Sequence, residues 1–203
     1  MTYFPYNYKS EELKNYPVIF FLHGASLRGD DINKIKKYGI PKLIDEGKDF
    51  DFIAISPQCP SGLTWASEDW FLKTFEDVKT RYHIDTNRVY LTGMSLGGEG
   101  TWYIAEKFPD IFAAVAPVCG RTSNIKSIIK DVHKLSQLPI WIFHGEKDKI
   151  YLVSESDEIY KVLIKINKDV KYTRYPDLGH GETHDTTYKN DELYHWFLEH
   201  KKK

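Results

Sequence analysis

The sequence predicts an α/β fold in which one mostly parallel sheet carries helices on both faces, built as a single domain over residues 1–203. Three observations predict it. Five short runs rich in β-branched and aromatic residues, at 18–22, 52–55, 89–91, 112–118 and 140–143, are apolar throughout rather than alternating, as strands buried on both faces should be. Between them lie segments of helical periodicity, of which Ile159, Val162, Leu163 and Ile166 form the clearest apolar stripe, at i, i+3, i+4 and i+7. No repeat, low-complexity tract or Pro/Gly/Ser linker divides the chain. Ser154 followed by Asp157 reads as a capping-box variant ahead of the stripe. In such sheets ligands sit at the carboxyl ends of strands, so the chemistry is expected in the loops that follow the runs.

Composition narrows the class of function. With 203 residues, 41% apolar and 15% aromatic, the chain can fill one good core. Its 28 basic and 29 acidic side chains nearly cancel and, apart from Lys201, Lys202 and Lys203, gather into no block of one sign. Neither nucleic acid nor an anionic membrane surface is therefore an expected partner. Two cysteines, Cys59 and Cys119, do not make the disulfide framework of a small secreted domain. The first ten residues hold no basic segment followed by an apolar stretch, and no apolar run is long enough to span a bilayer. A cytoplasmic location is the expectation.

The run 89–91 leads into Thr92-Gly93-Met94-Ser95-Leu96-Gly97-Gly98, and a helical stretch, 99–107, follows at once. This is G-x-S-x-G in a strand-turn-helix setting, where a serine sits on a sharp turn and side chains at the glycines would collide with the neighbouring strand and helix. The turn holds Ser95 Oγ above the sheet edge and puts the N–H of Leu96 at a helix N-terminus, where free donors favour a developing oxyanion. The bare pattern arises by chance in about one chain in fifteen of this length. Its weight therefore depends on partners elsewhere in the chain.

A serine hydroxyl needs a base to take its proton, and the base needs an acid to fix its tautomer. With a nucleophile on such a turn the chain order is Ser, then Asp or Glu, then His. The run 140–143 ends in His144-Gly145-Glu146-Lys147-Asp148, and the next strand-like run, 170–175, ends in Pro176-Asp177-Leu178-Gly179-His180-Gly181. Order and location assign Asp148 as acid and His180 as base, a loop histidine flanked by glycines. Glu146 and Asp177 are nearby substitutes for the acid, and His184, within a polar segment read as solvated, is the rival base. His23 and His144 follow strands directly and read as loop anchors; His83, His133, His195 and His200 read as surface residues. After the run 18–22 comes His23-Gly24-Ala25-Ser26, from which a backbone N–H can complete an oxyanion hole with Leu96. Ala25 is the expected donor and Ser26 the alternative.

Assembled, these residues resemble the predicted-peptidase and esterase group of the α/β-hydrolase superfamily, related to dienelactone hydrolase-like and feruloyl-type esterases. The resemblance runs from Tyr3 onward through Phe21-Leu22-His23-Gly24-Ala25, Arg28-Gly29-Asp30-Asp31, Ser56-Pro57-Gln58-Cys59-Pro60, the Ser95 turn, Ala116-Pro117-Val118-Cys119-Gly120, Phe143-His144-Gly145 with Asp148, and Tyr175-Pro176-Asp177 with Gly179-His180. It implies the α/β-hydrolase fold with an eight-stranded sheet, carboxylic ester hydrolysis, and a triad of Ser95, Asp148 and His180. Three features depart from the pattern. Few residues precede the run 18–22, so the N-terminal edge strand is expected to be missing. Glu99 stands where such proteins often carry an aromatic residue, and it reads as facing solvent. Dienelactone hydrolases proper use a cysteine nucleophile, whereas this turn carries serine.

Lids in this fold usually come from a long insertion after the sixth strand. Here only residues 121–138 separate Cys119-Gly120 from the next run, so no large lid and an open site are expected. Trp65 and Trp70, flanked by Arg28, read either as an aromatic wall of the substrate pocket or as cover for the core edge. An open, apolar-walled site points to a small-molecule substrate, a short-chain or aromatic acyl ester, cleaved through an acyl-serine intermediate. The alternatives are a serine peptidase of the prolyl oligopeptidase type, which would need an extra domain, and a non-catalytic binding protein, which would need neither Ser95 nor His180. No cofactor is expected, and no H-E-x-x-H or His/Cys pairing at ligand spacing suggests a metal.

Overall fold

The computed structural model describes residues 1–9, 14–122 and 132–202. Among these the strands are β1 (Thr2–Tyr3), β2 (Tyr16–Leu22), β3 (Ile53–Ile55), β4 (Ile84–Met94), β5 (Ala114–Val118), β6 (Ile140–Gly145) and β7 (Val170–Tyr175). They form one seven-stranded sheet in the order β1-β3-β2-β4-β5-β6-β7, with β1 antiparallel to β3 and every other pair parallel. The described sheet is thus one strand short of the eight expected. Its N-terminal edge carries only two-residue β1, and Pro5, which has no N–H to donate, follows shortly after.

The chain builds outward from β2 in one direction to β3, then returns past β2 to β4 and continues to β7. The order therefore reverses between β2 and β4, the switch point at which α/β sheets open a crevice. Register keeps the strand ends level there: Leu22 pairs with Gly93, Met94 with Val118, Val118 with Phe143, and Gly145 with Tyr175. Every loop predicted to carry chemistry leaves the sheet along this one edge.

Helices α1 (Gly39–Asp45), α2 (Trp70–Arg81), α3 (Leu96–Lys107), α4 (Val153–Leu163), α5 (His180–Lys189) and α6 (Asp191–Glu199) cover the sheet. Successive side chains of a strand face opposite sides. Val18, Phe20 and Leu22 accordingly join a core with Phe71 and Phe75 of α2, Trp102 of α3 and Ile159 and Leu163 of α4. Ile19 and Phe21 join a second core with Ile40 of α1, Tyr188 of α5 and Phe197 of α6. All seven residues of β2 are buried, which explains its unalternating pattern; each large apolar side chain so placed contributes about 1.5–3 kcal/mol.

Two local expectations change. In α4, Ile159 and Leu163 are buried, but Ile166 lies past the helix end and is exposed. The capping box does not form: the N-cap is Leu152, with no side-chain cap. Asp157 instead accepts a hydrogen bond from the Tyr172 hydroxyl at 3.0 Å and pairs with Arg174 at 3.5 Å. Of the segment expected to leave the site open, 121–138, residues 123–131 lie outside the described residues. No described helix is long and apolar enough to cross a membrane.

Candidate active site

Ser95 links β4 to α3 with φ 57° and ψ −119°, a left-handed backbone that costs a non-glycine residue about 1–3 kcal/mol. Its neighbours make the turn possible. A Cβ on Gly93 would lie 2.3 Å from the Gly97 carbonyl oxygen, and one on Gly97 only 1.9 Å from the Leu22 carbonyl oxygen. Strand, turn and helix therefore approach at backbone contact, and the Ser95 N–H is held by the Val118 carbonyl at 3.0 Å. The hydroxyl-bearing residue is half-buried at the crevice edge.

The expected acid and the expected base meet. His180 Nδ1 lies 2.6 Å from Asp148 Oδ2. The other carboxylate oxygen, Oδ1, accepts the N–H groups of Ile150 at 2.8 Å and Tyr151 at 3.0 Å. His144 Nε2 donates to the Tyr151 carbonyl at 2.9 Å and approaches Asp148 Oδ2 at 3.3 Å, while its Nδ1 lies 2.7 Å from Ser156 Oγ. Burial alone would raise the Asp148 carboxyl, but hydrogen bonds from His144 and His180 and from the Ile150 and Tyr151 amides outweigh it and hold the group well below the usual carboxylate range. The substitutes are elsewhere: Glu146 pairs with Arg174 at 3.2 Å and Asp177 with Lys147 at 2.7 Å.

His180 is not a loop residue but the first residue of α5, with Gly179 as N-cap. The segment read as solvated is helical too, and His184, one turn on, is largely buried. Among the described residues its Nδ1 has no hydrogen-bond partner, with the Asp185 carboxylate 3.6 Å away, and its ring packs against Tyr38 and His180 at centroid distances of 5.4 and 6.2 Å. The helix hides this histidine because Thr183, Thr187 and Tyr188 turn one of its faces into the core. Ser95 and His180 are tied to one strand end: Val118 holds the Ser95 amide, and the next residue, Cys119, places its Sγ 3.9 Å from the His180 carbonyl oxygen.

The loop after β2 runs close beside the Ser95 turn. Gly24 precedes a short 3-10 turn, Ala25–Leu27, and a Cβ on Gly24 would stand 3.4 Å from Ser95 Cβ. Among the described residues neither the Ala25 nor the Leu96 N–H has a backbone partner. His23 anchors the loop as expected, with Nδ1 2.7 Å from the Gly24 carbonyl and Nε2 accepting the Cys59 N–H at 3.0 Å. Burial, with a smaller effect of the Arg28 charge, lowers its pKa against the Gly24 hydrogen bond, in keeping with an Nε2 that accepts rather than donates. Arg28 braces the same loop, donating to the Ala25 carbonyl at 3.2 Å and to the Leu63 carbonyl at 3.0 Å.

Trp65 belongs to the core edge rather than to a pocket wall. It is 3% exposed, its indole N–H binds the His23 carbonyl at 2.9 Å, and it occupies the space where Gly100 lacks a side chain. Trp70 is half-buried, donating to the Trp65 carbonyl at 2.9 Å. Glu99 does not face solvent: its side chain is 15% exposed and pairs with Arg121 at 3.3 Å. Arg121 lies over the Tyr151 ring at 4.9 Å, and that ring meets His180 edge-on at 5.7 Å. Tyr151 has no place among the sequence-predicted site residues; an Asp whose side chain captures the amides two and three residues on is an available signal for it.

Cys119, His144 and Asp148 bring three metal-type donor atoms within 4.8 Å of one another. Their chemistry is that of a hydrogen-bonded cluster. His144 Nε2 carries its hydrogen toward two acceptors, and burial, reinforced by the Asp148 charge, pushes the Cys119 thiol up to about 12.

The dienelactone hydrolase family model matches residues 48–194, a span that holds Ser95, Asp148 and His180. Among curated proteins the chain is 27% identical over 209 residues to an uncharacterized secreted protein of Arthroderma benhamiae, covering 82% of this chain and 21% of that one. It is 32% identical over 144 residues to a bifunctional acetylxylan esterase/xylanase of Neocallimastix patriciarum, covering 67% of this chain and 20% of the relative. The chain thus spans about a fifth of the length of these relatives. Among solved structures it is similar to a thermostable esterase, with TM-score 0.78, 28% identity and coverage of 99% of this chain and 58% of the other. The acetyl xylan esterase from Aspergillus awamori, at TM-score 0.74 and 15% identity over 97% of this chain and 92% of its own, shares the α/β-hydrolase fold. With most of its length matched, the chain belongs to the dienelactone hydrolase family, a hydrolase family with esterase relatives.

Proposed function

We propose that the protein is a serine carboxylic ester hydrolase acting on short-chain or aromatic acyl esters through an acyl-Ser95 intermediate. The observation that carries the reading is the 2.6 Å Asp148–His180 hydrogen bond, presented on the same strand edge as a serine in the strained turn. With Nδ1–H committed to Asp148, Nε2 of His180 is left as the base. The Ser95 hydroxyl attacks the ester carbonyl carbon as its proton passes to Nε2. The N–H groups of Ala25 and Leu96 receive the oxyanion, and donors held by the backbone in this way need little reorganisation at that moment.

Collapse of the tetrahedral species breaks the bond to the alcohol oxygen, which takes the proton from His180 and leaves. Water then repeats the sequence on the acyl-serine, again losing its proton to Nε2, and releases the carboxylic acid. Asp148, which stays ionised, orients the imidazole and stabilises the imidazolium that forms twice per turnover. The esterase relatives support ester over amide as the scissile bond.

The test is turnover of p-nitrophenyl acetate and butyrate by purified protein. The expected result is steady hydrolysis by the wild type and a loss of about 10⁴-fold or more in kcat for Ser95→Ala. Absence of turnover, or an active Ser95→Ala variant, would refute the proposal.

A further inference from the structure

Tyr38 takes no part in the acyl-transfer steps above, yet it touches the segment that carries the oxyanion donor. Its hydroxyl lies 2.7 Å from Ser26 Oγ and 3.3 Å from the point where a Gly24 Cβ would stand, the same point that lies 3.4 Å from Ser95 Cβ. Ser26 directly follows Ala25 in the same short 3-10 turn, so the phenol holds the donor residue's neighbour beside the Ser95 turn. The ring of Tyr38 packs on His184, and His184 meets His180 edge-on at 88°.

The position of Tyr38 is itself fixed. It is the N-cap of α1, and the next residue, Gly39, has φ +70° and sits so close to the Phe21 ring that a Cβ would come within 2.2 Å of it. Helix α1 also packs against α5, which carries the base. Burial raises the phenol pKa, against a smaller opposing effect of Ser26, so the hydroxyl keeps its proton.

We propose that Tyr38 is a positioning residue for oxyanion stabilisation. Its hydroxyl, acting on Ser26, sets the Ala25 N–H relative to that of Leu96, and its ring, acting through His184, ties that alignment to the helix of the base. The inference rests on Ser95 being the nucleophile. No bond is made or broken at Tyr38. What it controls is an interaction that exists only at the tetrahedral stage, so its loss belongs in kcat and in the rate of forming a tetrahedral adduct, not in KM.

The experiment compares the full chain with Tyr38→Phe, which keeps the ring on His184, with Ser26→Ala, whose site is exposed, and with the double variant. The readouts are the second-order rate of labelling by a fluorophosphonate, whose phosphoryl oxygen occupies the oxyanion site, kcat and KM for p-nitrophenyl acetate, and Tm. Losing one oxyanion donor outright costs about 10²–10³-fold, and a displaced donor should cost about tenfold. Each single variant is expected to slow labelling and kcat by about that factor with KM changed less than about twofold, and the double variant to fall no further than the singles. Variants labelled at the wild-type rate would overturn the proposal, as would losses shared between kcat and KM or tracking a fall in Tm. A wild type that is not labelled at all would remove the nucleophile reading itself, and the proposal with it.

Discussion

His180 Nδ1 and Asp148 Oδ2 lie 2.6 Å apart, while Oδ1 of the same carboxylate is fixed by two backbone amides. The carboxylate is therefore fixed by its own loop as well as by His180, and replacing it tests the proposed acid role and stability together. Asp148→Asn should lower kcat by about 10⁴-fold, since the amide favours the wrong imidazole tautomer. It should also destabilise the fold by about 1–3 kcal/mol at neutral pH.

The pH dependence of that loss follows from the depressed carboxyl. Below its unfolded value of about 4, the unfolded chain binds a proton there that the native state does not. The contribution of Asp148 is thus complete above that pH and lost as pH falls through the folded-state value. Tm measured against pH should show the gap between wild type and Asp148→Asn closing toward about pH 2. A gap that stays constant across the acid range would contradict the assignment.

Gly97 and Gly181 make a matched pair of substitutions. An alanine at Gly97 drives its Cβ into the Leu22 carbonyl oxygen, 1.9 Å away, with no flexible side chain to yield. A loss of about 3 kcal/mol or more in denaturant unfolding is expected. Gly181, inside α5 with nothing within 4 Å of an added methyl, should accept alanine with a gain of up to about 1 kcal/mol.

Both cysteines are buried, and burial raises both thiols, Cys119 to about 12. Iodoacetamide at mildly alkaline pH should therefore leave the folded protein unmodified and active, and alkylate both residues once denaturant is added. Alkylation of Cys119 in the folded protein with loss of activity would shift the nucleophile away from Ser95.

The two neighbouring histidines separate by role. His180→Gln should lose activity about as severely as Ser95→Ala, whereas His184→Gln, which alters a packing contact on Tyr38, should retain activity within about 30-fold, since it forfeits alignment rather than proton transfer. Equal losses in steady-state kcat would leave no basis for naming His180 the base.

Much of this is legible in the chain because strand ends are marked by abrupt changes of composition. The run 170–175 coincides with β7, and the glycines at 93 and 97 announce a turn that no larger residue permits. Helix starts are harder. His180 follows a glycine and precedes another, which reads as loop, yet tertiary contacts of Thr183 and Tyr188 draw the segment into α5. Trp65 and Glu99 are ambiguous for a related reason: whether an indole or a carboxylate faces the crevice depends on Gly100 and Arg121, residues of other segments that periodicity does not connect. Tyr38 has no sequence signal at all, since its link to Ser26 and His184 exists only once α1 and α5 are packed together.

The central claim is that Ser95 is an activated nucleophile. Its most direct test is incubation with a fluorophosphonate followed by mass spectrometry of the digested protein. A single adduct is expected on the peptide carrying Ser95, absent in Ser95→Ala and strongly slowed in His180→Gln. A folded protein that acquires no adduct, or one that is still labelled after Ser95→Ala, would contradict it.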